Sequence, residues 1–347
     1  MNFNRNSPQY QEDLNYIISS IDAEPLRGKS ILVTGATGLI GTLIIDYLFA
    51  LNTKGFDIRI YALGRSKERA SDRLGLYYND SRFFFLEQDI LHPLPVELNV
   101  DYIIHGASNA HPMAYSQDPI GTIMTNIKGT ENVLNKALMC KAGVLFMSTV
   151  EIYGNARGED IFTENYTGNL NLSNARSCYP ESKRLCEAMC QSYIAQRNSN
   201  IKIVRLSRVF GPTMTEADSK ASAQFLKKAK AGEDIVLKSD GMQFFSYTYA
   251  ADAVAAILYV LVKGEIGVPY NVSAEGCNVH LRDFAEICAK VAGRKVIYRQ
   301  PTEIESNGFS KATNAILDNK LLQALGWKPH YDMIDAVERT INILQSL

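Results

Sequence analysis

The stretch Ser30–Gly41 reads SILVTGATGLIG and decides the fold. Its first five residues form a short apolar run that ends at a glycine, which is typical of a strand buried on both faces. In the loop that follows, Gly35 permits a tight turn, Gly38 lets the backbone approach a pyrophosphate, and Gly41 lets helix and strand pack closely. Leu39–Leu51 then carries apolar residues at helical spacing, and the free N–H groups at its start attract an anion. This order predicts a dinucleotide-binding turn; a purely structural glycine turn is the alternative.

The segments after this turn alternate between strand and helix. Four more strands are predicted before residue 150, and a long helix with proline near its start separates the last two. The strand candidates are Ile58–Leu63, Phe83–Glu87, Tyr102–His105 and Val144–Ser148, and the helix is Pro119–Cys140. Such alternation implies right-handed crossovers and an α/β fold, a doubly wound parallel sheet of the Rossmann type that is covered on both faces.

The amino-acid composition changes in residues 154–177, which are rich in Gly, Asn, Asp, Thr and Ser. A loop of this length inside a compact domain usually has a function, as a lid or a binding loop. A helix (Tyr179–Gln196) and a strand (Ile201–Leu206) follow it. We predict an N-terminal lead-in helix (1–28), a Rossmann domain (mainly 29–211) and a smaller α/β C-terminal substrate-binding lobe (mainly 212–347), with the chain crossing between the lobes.

Composition and charge exclude several classes of protein. The 347 residues are 46% hydrophobic and 21% charged, which is enough for a substantial core and too apolar for a disordered chain. Lys and Arg number 36 against 37 Asp and Glu, so the formal net charge is −1. This balance gives no electrostatic reason to expect binding to nucleic acid or to an anionic membrane.

The cysteines and the N-terminal residues give information about the cellular compartment of the protein. Six cysteines without a CxxC pair predict reduced thiols rather than a disulfide framework, and no metal site. The first residues lack the apolar segment of a signal peptide, and the longest apolar runs are too short to span a bilayer. We therefore expect a cytoplasmic globular protein.

The end of the second strand candidate should contact the adenosine ribose of a dinucleotide. An acidic residue there would indicate NAD, whereas a basic residue would favour the 2′-phosphate of NADP. The segment Ala62–Lys67 has no carboxylate but contains Arg65, which could bind a phosphate, stack on adenine or face solvent. Asp89, after the third strand, could accept a hydrogen bond from the adenine amino group or be a turn carboxylate. The cofactor prediction is therefore NAD or NADP.

Tyr179 and Lys183 form a YxxxK pair in a helical segment. Residues four apart share one face of a helix, so the Lys183 ammonium can lie near the Tyr179 phenol. A cation there stabilises the phenolate, lowers the pKa of the tyrosine and makes it a usable general base. The end of the fifth strand offers the hydroxyls of Ser148 and Thr149, which could hydrogen-bond the same substrate oxygen and relay its proton.

With these motifs together, the chain resembles the extended short-chain dehydrogenase/reductases, in the NAD-dependent epimerase/dehydratase branch that acts on nucleotide sugars. The resemblance runs from Ser30 to the C-terminus. The motifs that carry it are TGATGLIG (Thr34–Gly41), YIIHGA (Tyr102–Ala107), NIKGT (Asn126–Thr130), STVEIYG (Ser148–Gly154), YPESK (Tyr179–Lys183), RVFGP (Arg208–Pro212) and LGWKP (Leu325–Pro329).

The resemblance implies roles for individual residues. Thr149 would be the catalytic hydroxyl, Tyr179 the base that takes a proton from a sugar hydroxyl, usually at C4, and Lys183 a ligand of the nicotinamide ribose. Glu151 would be the family's catalytic glutamate. The implied cofactor-binding residues are Gly35, Thr37, Gly38, Leu39, Ile40, Gly41, Arg65, Asp89, Ile90, Gly106, Ala107, Ser108, Asn126, Tyr179 and Lys183, and the implied substrate-binding residues are Asn109, Glu151 and Arg208. Family members commonly dimerise through the helices that correspond to Pro119–Cys140 and Tyr179–Gln196, so a homodimer is implied as well.

The resemblance partly separates the reactions that can follow oxidation at C4. A 4-ketone acidifies the C5 proton and makes a C5 carboxylate a β-keto acid, so elimination, epimerisation and decarboxylation are all open. Dehydratases of the family carry an aspartate where this chain has Val150, which cannot protonate a leaving hydroxyl. Glu151, Tyr115 and Asp118–Ile120 fit the pattern of UDP-glucuronate decarboxylases, the nearest subgroup. An NADPH-dependent reductase of a 4-keto sugar is the alternative, and the complete catalytic set disfavours a non-catalytic cofactor-binding protein.

Two positions depart from the family pattern. The family usually places an arginine, which binds the diphosphate or a substrate carboxylate, seven residues before the aspartate that opens a C-terminal-lobe helix. Counting back from Asp252, this chain has Phe245 at that position. The family asparagine four residues before the proline of the Gly-Pro is replaced by Arg208. Arg208 could supply the diphosphate contact from another direction, or it could form an ion pair within the fold.

Overall fold

A sheet of seven parallel strands is the centre of the computed structural model, which describes residues 3–158, 160–300 and 312–346. The strands of the described chain are β1 (Ser30–Thr34), β2 (Arg59–Gly64), β3 (Phe83–Glu87), β4 (Tyr102–His105), β5 (Gly143–Thr149), β6 (Ile161–Phe162), β7 (Ile201–Leu206), β8 (Arg208–Phe210), β9 (Ile235–Leu237), β10 (Phe244–Tyr249), β11 (Pro269–Val272), β12 (Asn278–His280), β13 (Val296–Tyr298) and β14 (Asn314–Leu317). The central sheet has the order β11-β7-β5-β4-β1-β2-β3. The order reverses beside β1, so the ligand crevice of such a sheet opens at the carboxyl ends of β1 and β4.

Helices cover both faces of this sheet. The helices of the described residues are α1 (Pro8–Ser19), α2 (Leu39–Thr53), α3 (Lys67–Leu74), α4 (Pro112–Gln117), α5 (Pro119–Cys140), α6 (Cys178–Arg197), α7 (Ala221–Lys230), α8 (Ala250–Lys263), α9 (Leu281–Val291), α10 (Lys320–Ala324) and α11 (Met333–Gln345). Successive side chains of a strand point to opposite faces, and Ile31 and Val33 enter one core while Leu32 enters the other. The core that contains Leu32 lies under α5 and α6, and the core that contains Ile31 lies under α2 and α8. The Rossmann-type sheet expected from the sequence is thereby confirmed.

Local sequence sets the bounds of α5, the long helix beside the site. The Asp118 carboxylate accepts a hydrogen bond from the Gly121 N–H at 2.8 Å and caps the helix. Pro119 occupies the first turn, where its missing N–H has no cost. Lys141 takes a left-handed conformation with φ of +56° and ends the helix.

The second lobe is built around β10. This strand pairs in antiparallel fashion with β12 and in parallel with β14 and β8, and β14 continues to β6. Strands β13 and β9 form a separate parallel pair. Strands β6 and β8 precede residue 212 yet join this lobe, whereas α8 and β11 follow it and belong to the central sheet layer. The two units are therefore interleaved along the chain.

Helix α1 lies in the segment predicted as an N-terminal lead-in helix and packs into the core of the protein. The Tyr10 phenol donates a hydrogen bond to the buried Asp46 carboxylate, which also accepts from Tyr77 at 2.8 Å and from Arg5 at 2.9 Å. Asp13, on the same helix, accepts hydrogen bonds from Tyr249 and Tyr331 of the C-terminal half. The helix thus joins both ends of the chain to the Rossmann layer. None of the described helices is long and apolar enough to cross a bilayer.

Candidate active site

The glycine loop between β1 and α2 is held by close backbone contacts. Gly35 has a φ of +71°, and a Cβ there would lie 2.9 Å from the carbonyl carbon of Gly106 at the end of β4. A Cβ at Gly41 would lie 2.4 Å from the Gly35 carbonyl oxygen, so a larger residue would push α2 away from β1. Gly38 caps α2 with backbone alone. The loop therefore forms an open cradle at the start of a helix, the geometry that accommodates a pyrophosphate.

A hydrogen-bonded cluster fixes the end of β4 against this loop. The Thr34 hydroxyl accepts from the Gly106 and Ala107 N–H groups at 3.2 and 3.1 Å and contacts His105 Nδ1 at 2.8 Å. Burial, with a smaller effect of Lys183, lowers the pKa of His105 to about 3, so the ring is neutral at physiological pH. His105 is thus a structural residue that holds the β1–β4 junction.

A chain of side chains links the β4 loop to the YxxxK helix. The Ser108 hydroxyl donates to Asn126 Oδ1 at 2.7 Å, and Asn126 Nδ2 donates to the Ser182 hydroxyl at 2.8 Å. Ser182 lies on α6 between Tyr179 and Lys183. The sequence motifs around residues 108, 126 and 179 are thereby connected, and Ser182 is a link that the sequence analysis did not identify.

The end of β2 carries charges of both signs. Arg65 is exposed there, and its side chain forms no hydrogen bond or ion pair with any described residue. Glu87, at the end of the neighbouring β3, accepts a hydrogen bond from the Lys67 N–H at 2.9 Å. The absence of a carboxylate from Ala62–Lys67 therefore does not leave this edge purely basic, because Glu87 reaches it from the next strand.

The remaining predicted cofactor residues surround the same edge. Asp89 Oδ1 accepts from the Leu91 N–H at 3.0 Å, so this carboxylate has the local role of a turn residue. Ile90 is buried against Gly129 of α5, where a Cβ would lie 2.9 Å from it. Thr37, Leu39 and Ile40 are half-buried in the glycine loop and the first turn of α2.

Tyr179 lies in the first turn of α6, at the carboxyl edge of the sheet, and only 7% of it is exposed. Its ring stacks on that of Tyr115 of α4 with centroids 5.4 Å apart. Thr149, the last residue of β5, is near enough to the phenol for its hydroxyl to lower the pKa of Tyr179. Burial has the largest effect and raises the pKa of Tyr179; Glu151 raises it further, and Arg176 lowers it. The structure thus brings the predicted hydroxyl and base together.

Lys183 anchors α6 to the sheet. Its ammonium donates to the Met147 carbonyl at 2.9 Å and lies 4.8 Å from the centroid of the Phe146 ring. Burial lowers the pKa of Lys183. The expected lowering of the Tyr179 pKa by Lys183 is not observed, because burial dominates and the cation that acts on the phenol is Arg176.

Glu151 and Arg176 form an ion pair beside the phenol. Arg176 Nη1 and Nη2 donate to the two carboxylate oxygens at 3.1 Å each, and Nη2 also donates to the Tyr115 hydroxyl at 3.2 Å. Arg176 lies near the end of the polar loop, two residues before α6. Arg176 is not among the predicted site residues, although a basic residue three positions before the YPESK motif is a usable signal.

The two residues that depart from the family pattern are in contact. The guanidinium of Arg208, on β8, lies 3.5 Å from the centroid of the Phe245 ring, on β10. Its Nη1 is buried without a hydrogen-bond partner, and Arg208 forms no ion pair with any residue of the described ranges. Within the described residues, Arg208 therefore lacks the partner that an internal ion pair would need.

Several of these side chains line one pocket beside the first turn of α6. Val150, Glu151, Arg176, Pro180 and Arg208 line it, and the polar loop contributes Asn155, Asn171 and Asn174. The predicted substrate residue Asn109 is half-buried in the bend before α4, and its side chain has no hydrogen bond to any described residue. Within the described chain, no group of three or more His, Cys, Asp or Glu could hold a metal ion.

The sequence model of the NAD-dependent epimerase/dehydratase family matches residues 31–273, which include the glycine loop, Tyr179 and Lys183. The chain belongs to this family. It is therefore an enzyme of the family, with NAD or NADP as its cofactor. The cradle at Gly35, Gly41 and Gly106, which a Cβ would fill, fits such a dinucleotide.

Curated relatives and solved structures agree with this assignment. The chain is 31% identical over 299 residues to UDP-glucuronic acid decarboxylase 6 of Arabidopsis thaliana, an alignment that covers 86% of this chain and 84% of the relative. It is 30% identical over 313 residues to UDP-glucuronic acid decarboxylase 1 of Danio rerio, an alignment that covers 90% of this chain and 72% of the relative. The fold is similar to that of a UDP-glucuronic acid 4-epimerase from Bacillus cereus solved with UDP-glucuronic acid and NAD (TM-score 0.76, 20% identity, covering 91% of this chain and 99% of that one).

Proposed function

We propose that this family member oxidises the sugar of a nucleotide sugar at C4, forms a transient 4-ketone, and then decarboxylates or epimerises it. The observation that carries the proposal is the position of the buried Tyr179 phenol near Thr149, the last residue of β5, at the edge of the sheet that also carries the glycine loop. A hydroxyl and a phenol at one point can bind a single sugar oxygen and remove its proton. The solved neighbours with bound nucleotide sugars support this substrate class.

Each residue of the site has a defined task in this proposal. Thr149 orients the C4 hydroxyl, and Tyr179 accepts its proton. Lys183 fixes the position of α6 through the Met147 carbonyl and would bind the nicotinamide ribose. NAD(P) bound in the cradle supplies the acceptor for the C4 hydrogen and its electron pair. Burial of Tyr179 keeps bulk water from the oxygen that reacts.

Two residues support decarboxylation or epimerisation over dehydration. Val150 is buried and lines the pocket, so no acid stands there to protonate a leaving hydroxyl. Glu151 is held by Arg176 and remains the carboxylate of the pocket beside the phenol. The curated relatives named as UDP-glucuronic acid decarboxylases make UDP-glucuronate the first substrate to test.

A one-way reductase of a nucleotide 4-keto sugar is the second candidate. The exposed, unpaired Arg65 at the end of β2 favours it, because a guanidinium suits the 2′-phosphate of NADPH. The Glu87 carboxylate at the same edge opposes it.

Product analysis by NMR, with absorbance of the reduced nicotinamide followed in parallel, separates these functions. The enzyme is incubated with UDP-, dTDP-, CDP- and GDP-sugars, including UDP-glucuronate. The proposal expects a pentose or C4-epimer product without net accumulation of reduced cofactor. Stoichiometric consumption of NADPH with a keto sugar would contradict this proposal and identify a reductase. A 4-keto-6-deoxy product would instead show dehydration.

Replacing Arg65 with alanine should weaken NADP binding while leaving NAD binding nearly unchanged. An exposed guanidinium–phosphate contact is worth about 1 kcal/mol, so we expect a loss of roughly fivefold in NADP affinity. Equilibrium titration of both cofactors measures it. Glu87→Gln is the matched variant and should shift the preference the other way, towards NADP. Equal effects of Arg65→Ala on both cofactors would assign Arg65 to adenine stacking.

We also propose that the enzyme is a homodimer that pairs α5 and α6 with those of a second copy. Ile120 and Met124, one turn apart on α5, and Leu185 on α6 are exposed apolar side chains on this pair of helices. Light scattering tests the proposal. We expect the wild type to be a dimer and Leu185→Glu to be a monomer, because the substitution places a charge on the proposed interface. The cytoplasmic location stays a prediction from the sequence.

A further inference from the structure

The pocket beside the first turn of α6 is lined by two arginines, Arg176 and Arg208, and by one carboxylate, Glu151. Arg176 is paired with Glu151 through two hydrogen bonds. Arg208 lies in the same pocket and has no carboxylate partner among the described residues. A buried guanidinium remains charged, and leaving it unpaired is unfavourable. This arrangement indicates an anion that the ligand itself must supply.

The position of Arg208 is fixed by its neighbours. Its guanidinium lies flat against Phe245, 3.5 Å from the ring centroid, and Phe245 is buried against Tyr247. The unpartnered Nη1 therefore belongs to a group that is already oriented before a ligand arrives. A planar guanidinium held in this way suits bidentate recognition of an oxyanion.

The surroundings of Arg208 place this oxyanion at the sugar end of the substrate. Arg208 lines the same pocket as Glu151 and Arg176. Arg176 Nη2 donates to the Tyr115 hydroxyl at 3.2 Å, and the Tyr115 ring stacks on that of Tyr179. The Tyr179 phenol is the proposed site of proton transfer. An anion bound to Arg208 is consequently close to the reacting carbons, where a uronate carries its carboxylate.

We propose that Arg208, supported by Phe245, binds a carboxylate on the sugar ring and makes the enzyme selective for acidic nucleotide sugars. The inference rests on the proposed function and narrows its substrate class. It also explains the two sequence departures together: the cation that is missing at residue 245 is supplied from residue 208, and the new aromatic ring supports it.

Equilibrium binding of UDP-glucuronate, UDP-glucose and UDP tests the assignment without turnover when it is measured in the Tyr179→Phe background. Arg208→Gln should weaken UDP-glucuronate binding about tenfold or more and change UDP-glucose binding less than about threefold. Arg208→Asn combined with Phe245→Arg moves the cation back to residue 245 and should restore most of the preference. Thermal melting of each variant verifies that the fold is retained.

The remaining outcomes overturn one proposal or the other. An equal loss for all three ligands would assign Arg208 to the diphosphate and overturn the inference, as would unchanged binding. The inference would also be contradicted if the folded double variant bound UDP-glucuronate as weakly as Arg208→Gln does, because an arginine at residue 245 would then not replace Arg208. Failure of all three ligands to bind when Arg208 is intact would instead count against the proposed function.

Discussion

Tyr179→Phe should lower kcat by about 10²–10⁴-fold while cofactor affinity stays within roughly threefold of wild type. The substitution keeps the ring that stacks on Tyr115 and removes only the oxygen that accepts the sugar proton. Because the side chain is buried, no water can replace this oxygen without rearrangement. Turnover of the active nucleotide sugar and titration of the cofactor measure the two quantities.

Tyr193→Phe is the matched control for this substitution. Tyr193 lies on the same helix, and its hydroxyl donates to Asn135 at 2.8 Å, far along α6 from the pocket. The Tyr193→Phe variant should therefore have the kcat of the wild type. Thr149→Val should give a smaller loss than Tyr179→Phe, since it removes the orienting hydroxyl and leaves the base. Wild-type turnover in Tyr179→Phe would move the chemistry to a different group and end the proposed mechanism.

The Rossmann half of the fold could be predicted because its signals are local. The strands Phe83–Glu87, Tyr102–His105 and Ile201–Leu206 and the helix Pro119–Cys140 have the predicted bounds. Each is an apolar run or periodic segment with its own terminators, so nearby residues define it. The pairing of β6 and β8 with strands of the second lobe depends on contacts between distant parts of the chain. No short-range pattern indicates such pairing.

The candidate site divides in the same way. Thr149, Tyr179 and the glycine loop lie in recognisable motifs, and the structure brings them to one edge of the sheet. The spacing of Tyr179 and Lys183 gave the wrong sign for the phenol's pKa, because spacing on a helix does not report burial. The contact between Arg208 and Phe245 joins two strands that are separated in the sequence. In the sequence, positions 208 and 245 each appear to have lost a family residue. Their contact in the structure is what suggests that the cation expected at position 245 is supplied from position 208.

Substitutions at Arg176 and Glu151 should shift the pH dependence of kcat in opposite directions. Glu151 raises the pKa of Tyr179 and Arg176 lowers it. If Tyr179 is the base, activity rises with pH as the phenol ionises. Arg176→Met removes the stabilising cation, so the rising limb should move to higher pH and activity at neutral pH should fall. Glu151→Gln removes the opposing carboxylate, so the limb should move to lower pH.

The position of the limb, rather than the height of the profile, is the informative measurement, because Glu151 can also contribute to the later chemistry. Arg59→Met is the charge-matched control: Arg59 is exposed at the opposite, amino end of β2 and should leave the limb in place. Shifts of the same sign in the Arg176 and Glu151 variants would show that the ionising group is not the phenol between them. Loss of the limb in Glu151→Gln, rather than a shift, would instead make the Glu151 carboxylate the candidate base.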